Sequence, residues 1–229
     1  MHFNEDLAAV HAYLCADGYV IRNPETQKHK YYRIGLRNTN FILLKDFQER
    51  FYRHFGVKPH LREGQRCDIG SKKIYYELTK DFSYYSYEWS MPTLPKRFLI
   101  FWLRAYFDCE SWVYCKKAQN RIIGAECVNE RGIKSIQQVL LIFKIPSILK
   151  KRKRPKLIIW RLHIYGLENL KRFRRYIGFL HPKKKAKLDE AINSYVDYVW
   201  TVPTSKKDLF QFVKSRGKLS TEKQIIRLN

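Results

Sequence analysis

From Leu7 onward the apolar residues alternate between two spacings, one of three to four residues and one of two. Glu5 to Asp17 reads as a helix, with Leu7, Val10 and Leu14 on one face, and Gly18 ends it. Tyr19 to Arg22 reads as a strand, and Asn23-Pro24-Glu25-Thr26 as a turn. Lys30 to Arg37 alternates: Tyr32, Ile34 and Leu36 point one way, and Tyr31, Arg33 and Arg37 the other, as in a half-buried strand with a basic, aromatic outer face. Asn40 reads as the N-cap of a helix running to about Phe55, with Phe41, Leu44, Phe47 and Phe51 near helical spacing and Gly56 as its stop. Short strands follow at Val57–Leu61 and Arg66–Ile69, and Ser71 caps a helix from Lys72 to about Phe82.

After a polar and aromatic stretch, Ser83 to Pro95, the pattern restarts. Phe98 to Glu110 reads as a helix, Trp112–Lys117 and Arg121–Val128 as strands, and Asn129 caps a helix to about Phe143. Leu149 to Pro155 carries a basic run between strand-like segments and reads as a hairpin tip. Leu157–Tyr165 is the next strand, with Trp160, Leu162 and Ile164 on one face and Arg161 and His163 on the other. Leu167–Ile177 is a basic helix. His181-Pro182 opens a last helix toward Tyr198, and Ser205 to Asp208 caps a short terminal one.

The restart is a repeat. A shift of 89 carries Ile34-Gly35 onto Ile123-Gly124, Asn40 onto Asn129, Lys45 onto Lys134 and Gln48 onto Gln137. Each half therefore reads helix, two strands, helix, two strands, helix, which predicts pseudo-two-fold symmetry within one chain. The organisation follows: an N-terminal half over 1–83, a linker over 84–95, a C-terminal half over 96–200, and a tail over 201–229.

The first helix of each half carries the candidate chemistry. Val10-His-Ala-Tyr-Leu-Cys-Ala-Asp17 and Leu103-Arg-Ala-Tyr-Phe-Asp-Cys-Glu110 are apolar runs that end in an acid, with small residues in matching places: Ala12 and Ala16, Ala105 and Cys109. Small residues at i and i+4 form a stripe along which two helix backbones can approach closely. Packing the two stripes together brings Asp17 and Glu110 to one end of a helix pair. There each acid opposes a helix dipole, and the two repel each other. A divalent cation relieves both penalties, and oxygen ligands suit magnesium. Taken alone, either copy is equally a core helix with an ordinary C-terminal acid.

Composition narrows the partner. There are 45 Lys+Arg against 21 Asp+Glu, a formal charge of +24, which points to a polyanion, most often a nucleic acid. Arg33, Arg37, Arg161 and His163 face outward on strands and are candidates for phosphate and base contacts, together with Arg22, Tyr31 and Lys116. The run Lys150, Lys151, Arg152, Lys153 and Arg154 is a candidate phosphate clamp at a hairpin tip. Glu126 aligns with Arg37 and shares that face, where it reads either as an acceptor for a cytosine amino group or as an ordinary exposed Glu. No apolar run reaches a membrane span. Met1-His-Phe-Asn-Glu-Asp6 lacks a signal-peptide profile. The five cysteines are odd in number and contain no C-x-x-C. A cytoplasmic, nucleoid-associated protein is expected.

The paired motifs resemble those of the LAGLIDADG homing endonucleases, in particular archaeal single-chain, two-motif members encoded in introns. Ser71-Lys-Lys-Ile-Tyr-Tyr76, and the stretch from Gly166-Leu-Glu-Asn-Leu-Lys-Arg-Phe173 to Ile177-Gly-Phe-Leu-His-Pro-Lys-Lys-Lys185, are similar to that family too. The resemblance implies an α+β fold of two pseudo-symmetric αββαββα subdomains, each with a four-stranded antiparallel sheet, together forming a DNA-binding saddle. It implies that Asp17 and Glu110 bind two or three catalytic Mg2+ ions, with Mn2+ as a substitute, and that Ala16 and Cys109 offer backbone carbonyls to them. It implies cleavage of both strands of a long asymmetric DNA site by a monomer. Lys184, among Lys183 to Lys185, matches the family's Lys after His-Pro and is a candidate catalytic residue. Two departures stand out: Ser111 replaces the usual Gly, and neither half places Lys or Gln at the strand end before its second helix, where Asn38, Thr39 and Val128 stand instead. The alternative from the same resemblance is an intron maturase, or another DNA- or RNA-binding protein of this fold, with intron RNA as its partner and no cleavage activity.

Overall fold

The structure, a computed structural model, describes residues 1–195 except 25, 29, 30, 117–119 and 156. The expected extension toward Tyr198, the cap at Ser205 and the 201–229 tail lie outside the described residues. Met1–Ile192 form one compact unit that includes both halves. No helix among the described residues is long and apolar enough to cross a membrane.

The first half runs α1 (Glu5–Cys15), β1 (Gly18–Arg22), β2 (Tyr32–Arg37), α2 (Phe41–Phe55), β3 (His60–Arg62), β4 (Arg66–Gly70) and α3 (Lys72–Thr79). The second repeats the order with α4 (Lys96–Glu110), β5 (Ser111–Cys115), β6 (Arg121–Cys127), α5 (Glu130–Ile142), β7 (Ile148–Arg154), β8 (Leu157–Tyr165) and α6 (Leu167–Tyr176), followed by α7 (Pro182–Asn193). Both sheets are four-stranded and antiparallel, in the equivalent orders β1-β2-β4-β3 and β5-β6-β8-β7. The αββαββα repeat is thus observed in both halves. The caps were legible: the Asn40 side chain accepts from the Ile42 and Leu43 amides, Ser71 from Ile74, and Asn129 from Gly132. Gly56 closes α2 at φ +70°, a left-handed conformation that glycine enters without strain.

The two motif helices pack against each other along the stripe of small residues. Ala8 and Ala12 of α1 and Ala105 of α4 are buried, as are Leu7, Val10 and Leu14 beside them. One expectation changes. α1 is buried from Asp6 to Cys15, all the way round, because α2 and the first sheet cover the sides that α4 does not. Its buried Asp6 is neutralised by Arg50 at 3.1 Å and Arg53 at 2.7 Å, both on α2.

The two motif helices end differently. α1 stops at Cys15, two residues before its acid, and Gly18 then passes so close to the helix that a Cβ there would lie 2.3 Å from the Leu14 Cα. α4 runs on through Glu110. Ser111 fits in place of Gly because its hydroxyl turns back and donates to the Phe107 carbonyl, closing the last turn.

The basic run after Leu149 is not a hairpin tip. It forms β7 itself, the edge strand of the second sheet. Its register splits the cations: Lys150 opposes Arg161 and Arg152 opposes Ile159, while Lys151 opposes Trp160 and Lys153 opposes Ile158. Alternation along a strand sends these two sets to opposite faces. The linker is not merely a surface loop either, because Trp89 within it is buried against Trp102 and Tyr106 of α4.

Candidate metal centre and nucleic-acid interface

Because α1 and α4 pack in register, their acids meet. Burial first, and then the nearby Asp17 carboxylate, push the Glu110 carboxyl from its ordinary 4.5 to about 7, with Lys184 opposing the shift and Glu126 adding to it. Burial and then Asp17 also push the Cys109 thiol well up. The repulsion expected from the repeat is therefore present. Ala16 and Glu110 line one cavity of about 400 Å³, which also touches Glu126, Tyr106 and the linker residues Ser86 and Tyr87.

Asp17 has a partner that sequence reasoning had not assigned. The Asn38 amide donates to its Oδ2 at 2.8 Å, and the Arg37 amide donates to its backbone carbonyl at 3.1 Å. Asn38 is the residue immediately after β2, at the strand end where no Lys or Gln was found. The signal was its place in the repeat, but an amide side chain there had no obvious charge to offer.

Lys184 reaches the end of α4 from the first turn of α7. Its ammonium donates to the carbonyls of Phe107 at 3.1 Å, Asp108 at 2.6 Å and Cys109 at 3.3 Å. The Cys109 carbonyl, expected to face a metal, thus accepts from this lysine. Asp108, 1% exposed, was also overlooked: its two oxygens accept from the Leu180 and His181 amides at 3.0 Å each. Burial raises the Asp108 carboxyl to about 6 despite those two donors.

The donor set fits a hard divalent cation whose shell the protein only begins. The expected donors are the Asp17 and Glu110 carboxylates, which interact with each other, and the backbone carbonyls of Ala16 and Cys109, all of them oxygens. Among the described residues no group of three or more His, Cys, Asp and Glu could hold a metal ion alone. Magnesium is commonly held by one or two carboxylates, with water and substrate phosphates completing its shell.

The titration of Glu110 has a measurable consequence. Below about 4.5 the group is neutral whether the chain is folded or not. Between that value and about 7 only the folded protein holds the proton, so stability falls as pH rises, and the full cost is reached above 7. Glu110→Gln is therefore expected to raise the Tm at pH 8 in EDTA by an amount corresponding to a few kcal/mol at most, with the gain shrinking toward zero near pH 4.5. Thermal denaturation across pH checks this, and a gain independent of pH would contradict it.

The sheet faces away from the helices carry the expected cations. On the first sheet Tyr31, Arg33 and Arg37 are exposed, and register places Arg37 opposite Arg66 and Arg33 opposite Gly70. Arg62 and Arg66 extend this face. Asp68, at its centre, lies 3.6 Å from Arg66 and 3.9 Å from Arg33. Arg22 does not belong with them: register pairs it with Tyr32, on the helix side of the sheet beside α3.

On the second sheet Lys150, Arg161 and His163 share the outer face. Glu126 is neither exposed nor available there as a simple acceptor, for it forms an ion pair with Arg161. Tyr165 Oη and His163 Nδ1 are hydrogen-bonded at 2.9 Å, and burial followed by Lys150 and Arg161 lowers the His163 pKa. Lys151 turns to the helix side, over Trp160 at 5.4 Å. Arg152 and Lys153 are exposed. Arg154 closes β7, and its side chain lies outside the described residues. Lys116 is exposed just beyond β5.

The halves share one more device. Tyr19 and Trp112 lie on the outer faces over the central-strand glycines Gly35 and Gly124, where a Cβ would come within 2.7 Å of the Tyr19 hydroxyl and 2.4 Å of the Trp112 ring. Each aromatic ring also carries a guanidinium, Arg37 at 5.1 Å and Arg161 at 6.0 Å.

Comparison with known proteins gives the same answer as the geometry. Residues 98–178 match the LAGLIDADG-like domain. Homing endonuclease I-ApeI of Aeropyrum pernix is 26% identical over 169 residues, covering 65% of this chain and 74% of that protein. Glutamine–fructose-6-phosphate aminotransferase (isomerizing) of Methanocaldococcus jannaschii is 26% identical over 223 residues, 86% of this chain but 19% of that protein, so the chain spans about a fifth of its length. Homing endonuclease I-DmoI in complex with DNA and Ca superimposes with a TM-score of 0.58 at 15% identity, covering 81% of this chain and 99% of that one. Its complex with DNA and Mn gives 0.53 at 14% identity, covering 75% and 97%. Repeat and sheet order agree with these likenesses: residues 98–178 match the LAGLIDADG-like domain, and the chain is similar in sequence and fold to LAGLIDADG homing endonucleases.

Proposed function

We propose that this protein is a monomeric, site-specific DNA endonuclease that makes a double-strand break in a long asymmetric target by Mg2+-dependent phosphodiester hydrolysis. The observation that carries this reading is the convergence of Asp17 and Glu110 at one end of the α1–α4 pair, in a chain whose two sheets turn cationic outer faces away from the helices. One chain supplies both acids, so no second copy is required.

Asp17 and Glu110, with the Ala16 and Cys109 carbonyls, would hold two or three divalent ions, with Mn2+ able to replace Mg2+. Held by these residues, such ions would supply activation of a water and charge stabilisation at the leaving 3′ oxygen. Asn38 fixes the Asp17 carboxylate so that one oxygen stays turned away from its amide. Arg33, Arg37, Arg66, Lys150 and Arg161 would contact phosphates and base edges, with Glu126 holding the Arg161 guanidinium in place. The differing complements of the two faces support an asymmetric site. That I-DmoI is seen with DNA, Ca and Mn, and that I-ApeI is a homing endonuclease, support the same reading.

The test is cleavage of the intronless host-gene junction. Linear DNA carrying that junction is expected to be cut once, in both strands, with Mg2+ or Mn2+, and to remain intact in EDTA. Tight, salt-sensitive binding of the junction with no scission under any divalent cation would favour the binding-only, maturase-like alternative.

A further inference from the structure

A pocket of the first half serves neither the acid pair nor the outer sheet faces. It has a volume of about 480 Å³ and is lined by Arg22, Tyr75, Tyr76, Thr79 and Lys80, where α3 lies against β1 and β2. Register puts Gly18 and Leu36 at the Asp17 end of these strands, and Arg22 and Tyr32 at the other end, about 13 Å away. Its wall is aromatic. The rings of Tyr32, Tyr75 and Tyr76 stand with centroids 5.1, 5.6 and 5.5 Å apart. Tyr76 is 46% exposed and yet held, because its hydroxyl lies 3.3 Å from that of Tyr32 and Arg22 hydrogen-bonds to it. A ring fixed in this way offers a flat face to solvent at little further entropy cost.

The rim is cationic. Arg22, Lys72 and Lys80 are exposed around the pocket. The Tyr32 hydroxyl first, and then Arg22 and Lys72, hold the Tyr76 phenol below its ordinary value. The nearby acids are engaged elsewhere: Glu77 acts on His54, and Asp81 lies 3.0 Å from the N-terminal ammonium. Tyr31 and Arg33, next in the chain to Tyr32, face the other side, so the cationic surface continues round the end of the sheet.

We propose that this pocket is a second nucleic-acid site, and that it takes an unpaired strand: a base stacks on Tyr76, and Arg22, Lys72 and Lys80 hold the adjoining phosphates. Stacking on tyrosine needs a free base face, and in a duplex the bases cover one another's faces. The pocket and the outer sheet faces therefore select different forms of nucleic acid. RNA and DNA single strands share this chemistry and differ in the ribose hydroxyl. The site goes beyond the endonuclease reading and does not depend on it.

The probes are labelled oligouridylate and oligothymidylate, bound to the full-length protein and followed by fluorescence anisotropy, with excess unlabelled duplex DNA occupying the sheet faces. Wild type is expected to bind a single strand under that excess. Tyr76→Ala weakens this binding roughly tenfold, whereas Tyr76→Phe keeps the ring and stays within about twofold. Arg22→Gln lowers the slope of log affinity against log salt by about 0.7, the share of one phosphate. Duplex binding by Tyr76→Ala stays at the wild-type level. A tighter oligouridylate complex identifies RNA as the strand taken, and a tighter oligothymidylate complex identifies DNA; either supports the site.

A merely structural Tyr76 would lower Tm on truncation and leave single-strand binding alone, and that result overturns the proposal. So does complete displacement of the single strand by duplex. Photocrosslinking of iodouridine-labelled RNA to the wild-type protein gives a reading free of any variant: adducts on Tyr75 or Tyr76 support the site, and adducts confined to Tyr19, Tyr31 and Trp112 of the outer faces overturn it. None of these readouts involves cleavage, so the failure of the endonuclease reading and the failure of this one are separately visible.

Discussion

If the proposed function holds, Asp17→Asn is expected to lose at least roughly a thousandfold in cleavage rate, because it would weaken the hold on an ion that supplies several kcal/mol of transition-state charge stabilisation. The substitution keeps shape and removes charge. The Asn38 amide that now donates to Asp17 Oδ2 at 2.8 Å can still donate to an amide oxygen in its place. The first sheet's Arg33, Arg37 and Arg66 are untouched, so the dissociation constant for target DNA should stay within a few-fold of wild type. Stability in EDTA should hold or rise, since one of the two groups that push Glu110 up to about 7 has gone. These three readouts separate a chemical defect from a folding defect. Normal cutting by Asp17→Asn with Mg2+ would show that the acid pair is not the catalytic metal centre.

How much of this site could be read in advance depends on what kind of interaction defines each residue. Asp17 and Glu110 were legible because a repeat carries one onto the other and a small-residue stripe brings their helices together. The outward cations of β2 and β8 followed from two-residue alternation, and register then added Arg66 and Asp68 on β4. Arg22 was misplaced because a strand's last residues can fall on either face until the partner register is known, and pairing with Tyr32 puts it on the helix side.

Other features are tertiary and leave little local trace. The run from Lys150 to Arg154 suggested a tip because consecutive cations look like a solvated turn. At a sheet edge, however, a strand tolerates charge along its whole length and is guarded by it against edge-to-edge pairing. Asp108 and Lys184 hold backbone groups more than seventy residues away. No spacing rule reports such a latch. The complete burial of α1 was hidden for a related reason: alanines and one acid dilute its pattern, and Asp6 is inside only because Arg50 and Arg53 are there to meet it.

Trp89→Ala is expected to be the most destabilising single change outside the motif helices, at about 3–5 kcal/mol, which for a chain of this size corresponds to a fall in Tm of roughly 10 °C. The indole is 2% exposed, lies 5.4 Å from the Tyr106 ring and 6.0 Å from the Trp102 ring, and so plugs the linker into the back of α4. Trp102 in turn donates to His11 Nδ1 on α1 at 3.2 Å, so a hole at Trp89 loosens the seam that aligns the two acids. The Trp89 carbonyl also accepts from the Asn129 side chain at 2.6 Å, and Asn129 caps α5. Tyr87→Ala, two residues away and 64% exposed, should cost no more than about 0.5 kcal/mol. The decisive comparison uses Gly132. A Cβ there would lie 2.4 Å from the Trp89 ring, so Gly132→Ala alone should destabilise, whereas in the Trp89→Ala background the added methyl enters the vacated space. The double variant should therefore be clearly more stable than the sum of the two single losses. Simple additivity in denaturant titration would mean that Trp89 does not occupy the space over α5 and that the linker is not anchored there.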